Sequence, residues 1–121
     1  ATIARTNASE NVGNGFRYDP MGPFEVHGPT PLRLVRALHN GGSGLLNTAG
    51  NATSVHDSWW EGNSVAGVKN NDLFSLIDAR ENYWGSPDGP SHALNPTAGD
   101  RVEGGVIFVP FRETPPASSG P

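Results

Sequence analysis

The sequence predicts an all-β protein built as a solenoid of short parallel strands, and three observations carry that expectation. Glycine and proline are frequent, 16 and 11 among 121 residues, which leaves little room for long helices or unbroken ladders. Asn40, Gly44 and Asn47 each recur 23 residues later, as Asn63, Gly67 and Asn70. Residues 55–60 (VHDSWW) align with residues 79–84 (ARENYW) at an offset of 24, the shift that one inserted loop residue produces. Recurrence at a fixed period marks turns of chain that stack about 4.8 Å apart through parallel ladders. Asparagine suits the bends, because it tolerates αL geometry and its amide can bond an identical amide one turn up.

A chain of 121 residues fits one small domain. With 35% hydrophobic residues, its core must be narrow. The net charge is −4 and the eight lysines and arginines are scattered, so no basic stripe offers itself to a nucleic acid. Cysteine is absent, which excludes disulfides and thiol chemistry but not secretion. No apolar run approaches the roughly 18 residues of a spanning helix. Ala1-Thr2-Ile3-Ala4 has neither the basic nor the apolar region of a signal peptide. A mature secreted chain is the expectation.

Residues 1–30 read as an N-terminal arm or an irregular first coil, with short apolar groups at Phe16, Tyr18 and Phe24. These three aromatics are assigned to assembly or to covering the first coil. Residues 31–85 hold the coils. LRLVRAL, from Leu32, also fits a helix with Thr30 as N-cap and Gly41 as its end. The repeat favours a strand there. Leu45, Val68, Leu76 and Ile77 are expected to form inward columns. Trp59 and Trp60 are adjacent, so in a strand they face opposite ways.

Residues 81–111 close the pattern. Tyr83 and Trp84 lead into the turn cluster Gly85-Ser86-Pro87-Asp88-Gly89-Pro90, and Val106-Ile107-Phe108-Val109 alternates until Pro110. Residues 78–91 (DARENYWGSPDGPS) resemble the D-A-x-x-N-W-W-G-x-P-x-G-P-S segment of secreted microbial right-handed parallel β-helix proteins, which are pectate-lyase-like. In that family the segment leads into N-P-x-x-x-G-D-x-V-x-G-x-V-x-F-x-P-W. Here Asn95-Pro96 and residues 99–111 correspond, with Tyr83 and Phe111 where tryptophans are common. The resemblance implies a right-handed parallel β-helix of about three to five short coils, with residues 86–111 as a C-terminal cap. It says almost nothing of activity. A plug of Trp84, Val106, Phe108 and Phe111 would cover the open core mouth, an edge-association hazard if left bare. Residues 112–121, rich in Pro and Ser, read as a tail.

The chemistry considered is polysaccharide binding or weak cleavage on the side wall. Lyases of this fold class use carboxylates to hold calcium and a basic residue to take a proton. By the offset of 24, Asp57 lies under Glu81 and His56 under Arg80, with Asp78 nearby. A solvated outer face explains the same residues, and no compact metal motif stands out. Trp59 or Trp60, if outward, would stack on a sugar ring. The carbohydrate candidates are therefore Trp59, Trp60, Asp57, Glu81 and Arg80. No catalytic residue and no metal ligand are assigned. No cofactor is expected, calcium being the one ion entertained. The leading expectation is an extracellular or cell-surface structural subunit, not an enzyme. It would associate with copies of itself, as a filament or other assembly, or with a longer β-helix chain, through an uncapped N-terminal end.

Overall fold

The structure is a computed structural model, which describes residues 3–4, 6–18, 32–48, 54–71, 76–92 and 98–116. Its described residues are all-β, with every strand pair parallel. The strands are short and fall in rows along the chain. The first row has β1 (Ile3–Ala4) and β2 (Phe16–Tyr18). The second has β3 (Leu32–Arg33), β4 (Arg36–Leu38) and β5 (Leu45–Asn47). The third has β6 (Val55–His56), β7 (Trp59–Glu61) and β8 (Val68–Asn70). Then follow β9 (Ile77–Asp78), β10 (Pro90–Ser91), β11 (Gly99–Glu103) and β12 (Val106–Ile107).

Register follows the sequence repeat. Leu32 pairs with Val55, Ala37 with Trp60 and Leu45 with Val68. Beyond the third row the bridges Ser54–Asp78 and Trp59–Tyr83 carry the longer offset. In the first row Phe16 pairs with Leu45, Ile3 with Leu32 and Asn7 with Arg36. Residues 3–4 and 6–18 thus form one more row of the same sheets, rather than a detached arm. Phe24 lies outside the described residues, as does the Tyr18 side chain.

The expected single strand LRLVRAL is two strands. Leu34 sits between them at φ 55°, a left-handed corner that breaks the ladder and still sends Val35 into the core. Asp57 and Glu81 stand at the same corner one and two rows on, at φ 54° and 64°. A second corner column holds Glu10 and His39, then Gly62 and Gly85, all at positive φ. Left-handed geometry costs a non-glycine residue about 1–3 kcal/mol, so the surrounding ladders must enforce it.

The core is a stack of inward residues. On one sheet Phe16, Leu45 and Val68 lie in register, with Val102 packed against them. On the next face Ala37, Trp60 and Trp84 are fully buried. The two indoles stack at 6.4 Å between centroids, and Phe16 meets Trp60 edge-on at 6.3 Å. Leu76, expected inward, is 59% exposed. Strand side chains alternate, so with Ile77 buried its neighbour must face outward.

Polar columns run beside the apolar ones. Asn11 Nδ2 donates to Asn40 Oδ1 at 2.9 Å, and Asn40 Nδ2 to Asn63 Oδ1 at 2.8 Å. Asn63 Nδ2 donates to Asp100 Oδ2 at 2.7 Å. The direction is constant, and the series stops where the amide gives way to a carboxylate, which only accepts. A shorter column joins Asn47 to Asn70, whose Nδ2 donates to the Gly105 carbonyl.

The last strands depart from sequential order. The five-stranded sheet runs β10-β11-β8-β5-β2, so β11 lies between β8 and the earlier β10. Gly99 enables this close return: a Cβ there would sit 2.0 Å from the Trp84 carbonyl oxygen. Phe108 and Phe111 are partly buried against the core cluster, and the Phe111 ring lies over Gly89.

Candidate functional site

Two regions bear on function: the charged wall near the first corner column, and the two free edges of the sheets. On the wall, Asp78 follows Ile77 in β9 and faces outward. Arg80 Nε and Nη2 reach its two carboxylate oxygens, each at 2.8 Å, and His56 Nε2 lies 3.1 Å from Oδ1. The Arg80 guanidinium, aided by His56, holds the Asp78 carboxyl well below the usual carboxylate range. Asp57 takes a separate set of partners, Arg112 Nη2 at 2.6 Å and Arg33 Nε at 3.6 Å.

The expected column of stacked carboxylates therefore resolves into separate arrangements. The backbones of Asp57 and Glu81 are adjacent as expected, with Asp57 N donating to Glu81 O at 3.1 Å. Their carboxylates are not pooled: Asp57 is held by arginines, and the exposed Glu81 carboxylate makes no side-chain hydrogen bond or close ion pair among the described residues, with the Arg80 charge acting on it from nearby. His56 turns to Asp78 instead of standing simply beneath Arg80. Among the described residues no group of three His, Asp or Glu side chains is placed to hold a metal ion.

Two concavities flank Glu81. One, about 300 Å³, is lined by Glu81, Pro110, Phe111 and Arg112. The other, about 200 Å³, is lined by His56, Arg80, Glu81 and Pro110. Arg112 was expected to begin a loose tail. Instead its N–H donates to Asn82 O at 2.8 Å and its Nε to Glu81 O at 3.1 Å.

Of the two adjacent tryptophans, Trp60 is fully buried, so it is withdrawn as a sugar platform. Trp59 is half-buried and already engaged. Its Nε1 donates to Glu61 Oε1 at 2.8 Å, Tyr83 meets its ring edge-on at 6.1 Å, and Arg36 Cζ lies 6.0 Å from its centroid.

Asp100 ends the long asparagine column from within β11. It accepts from Gly62 N at 2.8 Å, Asn63 N at 3.2 Å and Asn63 Nδ2. Burial pushes its carboxyl up, against the pull of these three donors. Sequence comparison of Asn40 with Asn63 could not extend to Asp100, because the β10 excursion lengthens the offset to 37.

The free edges differ in chemistry. At the C-terminal end β10 is outermost in the five-stranded sheet and contains Pro90, which has no N–H to offer a new strand, while β12 is outermost on the face it shares with β9. Residues 110–112 run over the second face, where Glu81 N donates to Pro110 O and Arg112 N to Asn82 O. At the N-terminal end β1 and β2 are the outermost strands. Arg36 N donates to Thr6 O, and Ala8 and Glu10 donate to Arg36 O and Leu38 O. Parallel pairing alternates direction along the strand, so the amides and carbonyls of Asn7 and Ser9 point to the outer side. Among the described residues no strand pairs there. Residues 6–16 contain no proline or lysine and one charge, Glu10.

No protein-family model, curated protein or solved structure matches this chain. Among the described residues no helix is long and apolar enough to cross a membrane.

Proposed function

We propose that this chain is a right-handed parallel β-helix module, closed by a C-terminal cap, that serves as an extracellular structural subunit and self-associates through its N-terminal edge. The observation that carries the reading is the contrast between the two ends. One is blunted on two of its faces by Pro90 and the 110–112 crossing, while the other presents Asn7 and Ser9 backbone groups that no strand pairs among the described residues, with almost no charge to deter pairing. The parallel registers at the 23-residue repeat support stacked coils over residues 31–85, with the first row as a further coil. The extracellular location follows from the family resemblance alone. Light scattering over a concentration series, with hydrogen exchange of the outward Asn7 and Ser9 amides, tests the reading. A chain that stays monomeric throughout, with those amides protected, would sink it.

A second reading is supported by the exposed Glu81 carboxylate at the rim of the 300 Å³ concavity beside Phe111 and Arg112. A carboxylate next to an aromatic ring suits a sugar's hydroxyls and its apolar face. On this reading the wall binds, or weakly cleaves, a polysaccharide. A glycan array and an assay for unsaturated products distinguish it, and silence in both would remove it.

A further inference from the structure

We infer that β12 is a contact surface of its own, through which two copies join by their C-terminal ends about a two-fold axis at Ile107. The inference goes beyond the self-association reading: it uses the opposite end of the chain and stands or falls without the N-terminal edge. Pro90 and the 110–112 crossing close two faces of the C-terminal end. The third face ends in β12, whose one strand neighbour among the described residues is β9. Gly105 O accepts from Ile77 N at 2.9 Å, and Ile107 O from Ala79 N at 2.7 Å. Direction alternates along a parallel strand, so the amides and carbonyls of Val106 and Phe108 point away from β9. Residues 104–109 carry no charge and no proline, two of the devices that protect an edge.

The side chains of this face define its occupant. Val106 and Phe108 pack toward the core, while Ile107 and Val109 face outward, 42% and 59% exposed, and Leu76 is exposed with them. Leu76 stands beside Gly105, one step before the Ile77–Val106 pair, so the outer face has a notch between Leu76 and the free edge. A second β12 run antiparallel about Ile107 sets Val106 against Phe108 of the second copy, and the reverse pair forms by symmetry. Directly opposed residues with outward groups exchange both N–H···O bonds, which accounts for all four outward groups of each copy. Ile107 then meets Ile107 of the second copy in a non-hydrogen-bonded pair, the kind whose side chains come closest. Val109 falls opposite Gly105 of the second copy and closes over it toward that copy's Leu76. One register thus satisfies the backbone and covers three exposed apolar side chains, and that self-complementarity commits the surface to a second copy. Asp78, the charge beside Ile107, is already held by Arg80, so no unpaired charge is brought to the joint.

The test uses the whole chain. Analytical ultracentrifugation from micromolar to millimolar concentration should show association. Ile107→Lys sets two charges against each other at the axis and should abolish the β12 contact, with circular dichroism unchanged because the side chain lies outside the core. Asn7→Lys, at the other end, should leave that contact intact. Ile107→Cys gives a cysteine-free chain its one thiol, and opposed Cβ atoms lie about 4.5–5.5 Å apart. It should oxidise to a single disulfide-linked dimer faster than Val65→Cys, which is equally exposed at 41% and lies in the third row. A monomer at every concentration overturns this inference and the N-terminal reading together. A dimer that survives Ile107→Lys and dissolves with Asn7→Lys overturns the β12 contact and leaves the N-terminal reading standing. Equal oxidation of the two cysteine variants overturns the register about Ile107. An open series of oligomers that Ile107→Lys cuts back to pairs supports contacts at both ends.

Discussion

Asn63 is the best point at which to test how far the polar column holds the rows together. Its Oδ1 accepts from Asn40 N at 3.1 Å and from Asn40 Nδ2 at 2.8 Å. Its Nδ2 donates to Ala37 O at 2.8 Å and to Asp100 Oδ2. Asn63→Ala leaves the buried Asn40 N–H and the Ala37 carbonyl without these partners. The Asn40 side chain keeps Ala8 O, and Asp100 keeps Gly62 N and Asn63 N. Each stranded buried group costs about 1–3 kcal/mol, so the expected loss is about 3–4 kcal/mol. That is a large share of the 5–15 kcal/mol typical of a whole domain, and lowers Tm by roughly 12–15 °C. Urea and thermal unfolding measure it, with Asn71→Ala as control. Asn71 is exposed, and its substitution should stay within about 0.5 kcal/mol. If Asn63→Ala costs under about 1 kcal/mol with an unchanged m-value, the column is not a principal support of the stack.

Asn63→Asp should be worse than Asn63→Ala at neutral pH, because it sets a second carboxylate against Asp100, and the gap should narrow on acidification; paired melts at acid and neutral pH check it. Gly99→Ala drives a methyl group into the Trp84 carbonyl, which is backbone and cannot swing away. The expected cost is about 3 kcal/mol or more, read by urea unfolding. Asp100 and Asp78 should tilt the pH profile in opposite senses. Burial raises the Asp100 carboxyl in the folded state, so its contribution is full below the unfolded carboxylate value and is lost as pH rises through the folded one. Asp78 is lowered by Arg80, so its contribution is present above the unfolded value and is lost as pH falls through the folded one. Carboxyl NMR titration should therefore find Asp78 titrating below the ordinary range and Asp100 above it, and Arg80→Ala should return Asp78 upward.

The parts of the fold legible in the sequence are those fixed by local repetition. Asn40 and Asn63 share a bend, and Asn47 and Asn70 another, because each row of equal length places the same amide beside its predecessor. Ile77 could be assigned inward by its β-branched character, yet Leu76 could not be told from it by hydrophobicity alone. Only the alternation set by Asp78 and Ala79 places Leu76 outside. The left-handed corners at Leu34 and Glu81 are written in residues that rarely adopt such geometry, and Asp57 and His39 only tolerate it. Gly62 and Gly85, in the column with His39, were the available hint. The first row escaped because its registers run through a longer connection, which hides the match between Phe16 and Leu45. On the wall, the sequence brought Asp57, Asp78, Arg80 and Glu81 to one neighbourhood. It could not show that Arg112, far along the chain, would claim Asp57.

By itself, then, the sequence determined an all-β chain of short strands in a 23-residue register, with one of Trp59 and Trp60 inside, Trp84 in the plug, and a turn-rich close. Those properties depend on side-chain alternation and on the spacing of bends, which are local. The tertiary structure alone decided that β11 slips beneath β10, that Asp100 ends the asparagine column, and that arginines from distant segments disperse the wall's carboxylates. Each of these depends on which chain segments meet, and a closing segment can meet any exposed edge whose hydrogen bonds and shape it satisfies.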